Sequence, residues 1–206
     1  MRRVETTAAG SRRRVLVGIA GGPGSGKSTL ARQVTTLLNA RNPGSAAVFP
    51  MDGFHKTHKI LECENLAEIK GTPQTFDAKR FVHALRTIRS ATIDMPIPAY
   101  SREIEDVVAD ALTIPAETRT IVVEGNYLLL PDPPWHLVAP LMDVTIHIDV
   151  AAEIIRGRLL KRHAEHGRFT DERNRRHVEM VDLINHELVR QHARRADLII
   201  EVDTMN

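Results

Sequence analysis

The chain is poor in three things, and each shortage excludes a class of protein. It holds one cysteine, Cys63, in 206 residues, so no internal disulfide can form and nothing points to an oxidising compartment. Cys63 is expected to be a small buried apolar residue or an inert thiol. Aromatic residues make up 4% of the chain, too few for the interleaved aromatic and basic surface on which single-stranded nucleic acid stacks. Net charge is also small: 28 Lys+Arg stand against 26 Asp+Glu, a formal +2, so the chain as a whole is no polyelectrolyte and any electrostatic function must be local. No apolar run approaches the roughly 18 residues of a membrane helix. The expectation is a protein without nucleic-acid or membrane partners, cytoplasmic by default.

What is present suits an ordinary globular domain. Hydrophobic residues are 42% and charged residues 26% of the chain, and 206 residues correspond to one domain with room for a small lid. Residues 1–14 are expected to form a disordered tail and 15–206 a single domain. Arg12 to Arg14 precede an apolar run that is too short for a signal peptide and leads straight into a glycine loop. That run reads as the first of five buried strands: Val15–Ala20, Ala46–Phe49, Thr120–Val123, Val144–Ile148 and Leu198–Val202. Helical periodicity lies between them, at Leu30, Val34, Leu37 and Leu38, at Phe81, Val82, Leu85 and Ile88, over about Ala151 to Ala164, and at Val178, Val181, Ile184 and Leu188. The alternation predicts an α/β fold with a central parallel sheet of about five strands and helices on both faces.

Two segments break the alternation. Thr57 to Gln74 is a polar excursion too long for an ordinary connection, and so a candidate functional loop. Residues 156–176 carry eight basic residues (Arg156, Arg158, Lys161, Arg162, Arg168, Arg173, Arg175 and Arg176) against Glu165, Asp171 and Glu172. This is either a solvated helical face or a basic lid closing over an anion.

The strongest motif follows the first strand. Gly21-Gly22-Pro23-Gly24-Ser25-Gly26-Lys27-Ser28 matches G-x-x-x-x-G-K-[ST] between a strand and a helix, the P-loop arrangement of nucleoside triphosphatases and small-molecule kinases. Consecutive backbone N–H groups must wrap a phosphate with no Cβ in the way, and the new helix directs its positive dipole end at the same anion. Lys27 supplies a point charge for the β and γ phosphates and Ser28 an oxygen for Mg²⁺.

Ligands of open α/β sheets lie beyond the carboxyl ends of the strands. Asp52 follows the second strand and could take the proton of an attacking hydroxyl, contact Mg²⁺, or do both, while Gly53 would let a substrate come close to the backbone. Glu124 ends the third strand, either as a Mg²⁺-holding carboxylate or as a structural one capping a loop. His55 could touch substrate or phosphate. His58 reads as merely exposed, since no further zinc ligand follows the H-x-x-H spacing. Tyr100 and Arg102 are pocket walls or else a packing tyrosine and a solvated arginine. On composition Asp77 is a helix N-cap.

Together the segments GGPGSGKST (21–29), MDGFHK (51–56), KGTPQTFD (70–77), PAYSR (98–102), VVEGNYLLL (122–130), RLLKRH (158–163) and VDLIN (181–185) resemble the phosphoribulokinase/uridine kinase family of P-loop kinases. The resemblance runs from about Val15 to Val202. It implies ATP and Mg²⁺ as cofactors and a small-molecule hydroxyl acceptor: a sugar, polyol, nucleoside or pantothenate-like metabolite. Gly22, Gly24, Ser25, Gly26, Lys27, Ser28 and Thr29 would bind the nucleotide with Arg158 and Arg162. Lys27, Asp52 and Arg162 would be catalytic, and Ser28, Asp52 and Glu124 would hold the metal. Asp52, His55, Asp77, Tyr100, Arg102, Glu124, Asn126 and the lid residue Arg168 would face the acceptor. The sequence departs from close relatives at Tyr100-Ser101-Arg102 and at Asp182-Leu183-Ile184-Asn185, which leaves the acceptor unidentified. The alternative is a regulatory ATPase or switch without a small-molecule acceptor. Oligomeric state is open, a homodimer among the options.

Overall fold

In the computed structural model, which describes residues 13–166 and 170–203, β1 (Val15–Gly21) is buried at every position. It forms the middle of a five-stranded sheet in the order β2-β5-β1-β6-β7. The others are β2 (Ala46–Pro50), β5 (Thr120–Gly125), β6 (Val144–Val150) and β7 (Leu198–Val202), and every pairing is parallel. A strand flanked on both sides and covered on both faces has no polar side to offer, which is why β1 and the Ile121–Val123 centre of β5 read as continuous apolar runs.

Alternate residues of β1 feed two cores. Val15, Val17 and Ile19 pack with α1 (Lys27–Arg41) and α4 (Ala152–His166) through Ala31, Leu38, Ile155 and Leu159. Leu16 and Ala20 face the opposite side, where α3 (Ala78–Ser90) supplies Phe81, Val82, Leu85 and Ile88. The scarce aromatics are concentrated in this second core. Phe49, Phe54 and Phe81 meet at centroid distances of 5.1 to 6.0 Å, and Phe76, Tyr127 and Trp135 continue the cluster at 5.3 to 5.9 Å. Such pairs each contribute about 0.5–1.5 kcal/mol beyond simple burial. They form a stiff floor beneath the turn that carries Asp52.

Four sequence expectations need correction or completion. First, Arg14 belongs to the fold rather than to a tail: it is buried and donates to the carbonyls of Ile88, Pro115 and Ala116 at 3.2, 2.9 and 3.0 Å. Residues 1–12 of the expected tail lie outside the described residues. Second, the segment after the helix of Phe81 to Ile88, whose prolines allow a loop or an edge strand, is a hairpin, β3 (Met95–Ser101) with antiparallel β4 (Asp106–Ile114). Pro96 and Pro98 cannot donate to a ladder and the register shifts between Ile97 and Ala99, which conceals the strand from a period-two reading. Third, the polar excursion is partly ordered into α2 (His58–Cys63) and two 3₁₀ turns, Ala67–Ile69 and Pro73–Thr75. Cys63 within it is exposed. Fourth, the last helical region holds three pieces: α5 (Asp171–His177), a π turn over Val178–Asp182, and α6 (Leu183–Arg190). The basic segment is therefore split between α4 and α5, and residues 167–169 lie outside the described ones. Among the described residues no helix is long and apolar enough to cross a membrane.

Candidate functional site

The sheet brings three chain segments to one edge. β1 is flanked by β5 and β6, and β2 pairs with β5 so that Pro50 lies opposite Glu124. The loop after β1, the turn after β2 and the last residues of β5 therefore meet at the carboxyl end of the sheet, the place where open α/β folds bind ligands.

The loop takes its shape from glycine where the backbone demands it. Gly24 and Gly26 have φ of 72° and 96°, a region that L side chains avoid. A Cβ on Gly22 would lie 2.3 Å from His186 Nδ1, so α6 presses against the loop from behind. Gly26 leads into α1, whose first N–H groups and dipole face the same space as the loop. Lys27 Nζ donates to Gly22 O at 3.0 Å, which lays the ammonium across the mouth of the loop. Burial pushes the Lys27 ammonium below its usual range, while the carboxylates of Glu124 and Asp52 pull it back up.

Ser28 Oγ donates to Glu124 Oε1 at 2.9 Å, joining the start of α1 to the end of β5. Glu124 is buried, and that burial together with the nearby charge of Asp52 pushes its carboxyl up, against the opposing pull of Lys27 and Ser28. Asp52 sits on the 3₁₀ turn Met51–Phe54, pinned by His55, whose main-chain N–H and ring Nδ1 lie 3.3 and 2.9 Å from Asp52 O. Ser28, Asp52 and Glu124 form a hard, all-oxygen set of donors suited to Mg²⁺. No cluster of three or more His, Cys, Asp or Glu that could hold a metal occurs among the described residues. This donor set fits an ion that completes its shell with phosphate oxygens and water.

A cleft of about 1670 Å³ runs from Gly24–Thr29 past Asp52 and Glu124 to the hairpin. The residues expected in the site that line it are Gly24, Ser25, Gly26, Lys27, Ser28, Thr29, Asp52, His55, Tyr100, Arg102, Glu124, Asn126, Arg158 and Arg162. Arg158 Nη1 donates to Gly24 O at 3.4 Å. Arg162 lies close enough to Arg102 that burial and this second cation both push its guanidinium down, while Asp182 and Asp52 raise it. His55 stacks between Phe76 at 3.8 Å and Tyr100 at 5.1 Å, and burial lowers its pKa. His58 also reaches the cleft wall and pairs with Glu62 at 3.3 Å. Arg168 lies outside the described residues.

Two residues are placed otherwise than expected. Gly53 makes room for protein rather than for substrate: a Cβ there would fall 2.2 Å from Pro98 O, so the hairpin backbone occupies the space. Asp77 is exposed and absent from the cleft; it caps α3, accepting from Arg80 N at 2.9 Å. The compositional reading of Asp77 describes this contact and the family resemblance does not. Asp77→Ala is accordingly expected to cost about 1 kcal/mol of stability, measurable by urea unfolding, while the Michaelis constants for nucleotide and acceptor stay at wild-type values.

Lys70 and Asp182 line the cleft without having been given a role from the sequence, and the buried Tyr127 braces the wall behind it. Lys70 donates to Glu105 O at 2.6 Å, and Tyr127 OH donates to Gly71 O. Asp182, on the π turn, lies 3.2 Å from His163 Nε2. Such turns often mark functional positions, but a 3.6-residue period cannot reveal one.

Comparison with known proteins agrees with this architecture. A model of the phosphoribulokinase/uridine kinase family matches residues 16–206. A Schizosaccharomyces pombe protein provisionally named a uridine kinase is 33% identical over 195 residues, covering 91% of this chain and 83% of its own. Escherichia coli YggC is 36% identical over 192 residues, covering 92% and 78%. Bacterial pantothenate kinases also match, the Parvibaculum lavamentivorans protein at 35% identity over 68% of this chain but 45% of its own length. Among solved structures, a protein from Silicibacter sp. TM1040 provisionally assigned as a fructose transport system kinase superposes with a TM-score of 0.87 at 31% identity, covering 96% of each chain.

Proposed function

The chain belongs to the phosphoribulokinase/uridine kinase family and is a P-loop kinase; from that premise we propose that it transfers the γ-phosphoryl group of Mg·ATP to a hydroxyl of a small metabolite, with Asp52 as the base. The observation that carries this reading is the position of Asp52, which lines one cleft together with the phosphate loop on one side and His55, Tyr100 and Arg102 on the other. A switch ATPase needs the loop but has no use for an acceptor wall.

Within this scheme the loop N–H groups and Lys27 hold the β and γ phosphates, and Arg158 and Arg162 approach from α4. Ser28 with Asp52 or Glu124 would hold Mg²⁺, and the chemistry that ion would supply there is neutralisation of phosphate charge. The Asp52 carboxylate accepts the acceptor's O–H proton as the hydroxyl oxygen bonds to the γ-phosphorus. The bond from that phosphorus to the β–γ bridging oxygen breaks, and ADP departs with the electron pair. Lys27 and Arg162 stabilise the charge spread over the transferring group, and the closeness of Arg162 to Arg102 concentrates positive potential there.

The test is ADP release from Mg·ATP across sugars, polyols, nucleosides, pantothenate and hydroxy acids. One acceptor class is expected to raise turnover by an order of magnitude or more over the rate without acceptor. Slow turnover indifferent to all of them would instead support the regulatory ATPase.

A further inference from the structure

A histidine that the transfer scheme does not use lies behind the phosphate loop. His186, on α6, is 3% exposed and packs so closely on Gly22 that a Cβ there would fall 2.3 Å from its Nδ1 and 3.0 Å from its Cα. Gly22 is the hub of the loop, since its carbonyl accepts from Ser25 N at 3.2 Å and from Lys27 Nζ at 3.0 Å. The ring therefore touches, from outside the cleft, the residue on which the phosphate-binding ammonium hangs. Neither ring nitrogen has a hydrogen-bond partner among the described residues, and a polar ring buried in that way costs free energy that an apolar side chain of the same bulk would not. The charged groups around it are mixed in sign. α6 itself contributes Glu187 and Arg190, and β6 contributes the buried His147 and Asp149, which pairs with Arg190 at 3.1 Å. Lys27, on α1, acts on His147 and sits across the Gly22 peptide. Burial, with Arg190, holds the His186 ring below the usual histidine range. Asp149, Glu187 and the Val150 main chain pull the other way, the last without closing a regular hydrogen bond to the ring. The ring is therefore neutral at physiological pH.

We propose that His186 is a positioning residue for nucleotide binding: it supports Gly22 from behind and takes up a proton from solvent as the phosphates of a nucleotide enter the loop. This role requires that the loop bind a nucleoside di- or triphosphate and is independent of the acceptor. One layer of loop backbone separates the ring from the space that the loop N–H groups enclose. Phosphate charge in that space attracts an imidazolium and offsets its repulsion from the Lys27 ammonium, so the charged ring gains the counter-charge that burial denies it. The Val150 main chain favours the protonated ring and stands beside it as an acceptor. Linkage makes the coupling reciprocal: phosphate that raises the proton affinity of His186 implies that a protonated His186 raises nucleotide affinity by the same factor. At high pH the ring is neutral whether or not nucleotide is bound, and affinity is lowest. Affinity rises as pH falls through the range between the bound and the free pKa of the ring, and it levels off below that range.

Calorimetric titration of the full chain with Mg·ADP between about pH 6 and 8, the range over which histidines titrate, reads the affinity. Repeated in buffers of different ionisation enthalpy, it also reads the protons taken up per nucleotide bound. Wild type is expected to take up a substantial fraction of a proton and to bind about 3- to 10-fold more tightly at the acid end. His186→Gln keeps a polar side chain against Gly22 but cannot take the proton. It should match wild type at the alkaline end, keep its melting temperature, and lose both the uptake and the acid-side gain. The nucleotide's own titration is common to both proteins and cancels between them. His186→Ala removes the support and should weaken binding at every pH. Proton NMR of the imidazole C–H groups gives a readout in wild type that needs no variant: a buried histidine should titrate at higher pH with Mg·ADP than without it. Equal uptake in wild type and His186→Gln would send the proton elsewhere, to His147 or the nucleotide, and overturn the proposal. So would a wild type in which no histidine resonance moves upward, and His186→Ala that binds as wild type across the range would reduce the residue to filler. A folded chain that failed to bind Mg·ADP at all would remove the nucleotide site itself, and the proposal with it.

Discussion

Asp52→Asn is expected to lower turnover by about 10²- to 10⁴-fold, the usual contribution of a positioned base, which corresponds to roughly 3–5 kcal/mol in the barrier. Asparagine preserves the shape of the turn. His55 bonds to the main-chain oxygen of Asp52, not to its side chain, and Met51 and Phe54 remain in the core, so the fold and the phosphate loop should persist. What disappears is the carboxylate at the cleft wall, whose negative charge raises the proton affinity of the buried Glu124. The split between kinetic constants separates its two candidate roles. A base acts in the transition state, so kcat falls while KM for ATP stays within a few-fold of wild type. A metal ligand would carry a matching loss in Mg·ATP affinity, visible by calorimetry. Glu124 reports the change independently: with the Asp52 charge gone, one of the two causes that push its carboxyl up is removed, so its titration should move to lower pH. Undiminished turnover in the variant would take Asp52 out of the mechanism.

The parts of the molecule that were legible in the sequence are those in which one physical requirement dominates. Strands β1 and β5 must be apolar on both faces, and a loop that wraps phosphate must have glycine at positive φ, so Gly24, Gly26 and the runs beside them declare themselves. The hairpin was concealed because Pro96 and Pro98 disrupt the ladder signal of β3 and because β4 is largely exposed, which removes the alternation that burial would impose. Gly53 was misread for a related reason. A glycine signals close approach but not the identity of what approaches, and here it is the backbone of that same hairpin. Asp77 shows the reverse case, where the local rule for a helix N-terminus described the contact and the wider resemblance placed the residue in a pocket it does not line.

Lys27→Met should have the second large effect, and its signature differs from that of Asp52→Asn. Methionine keeps most of the side-chain volume but removes a charge that serves two sets of neighbours. Toward the nucleotide, the lost ammonium weakens ATP binding and transition-state stabilisation together; removal of one preorganised electrostatic donor typically costs about 10²- to 10³-fold in kcat. Toward the protein, Lys27 is the cation that holds Glu124 down against its own burial and the charge of Asp52. Without it the buried Glu124 loses the charge that most opposes its burial, and its carboxyl should retain a proton to higher pH. The titration of Glu124 should therefore move toward higher pH in Lys27→Met, whereas Asp52→Asn, which removes a charge that raises Glu124, should move it toward lower pH. Measuring both titrations separates loss of phosphate stabilisation from loss of the base. Wild-type rate and ATP affinity in Lys27→Met would contradict the role of the loop. A reduced rate with the Glu124 titration fixed in place would confine Lys27 to the phosphates and deny it any part in setting the charge of Glu124.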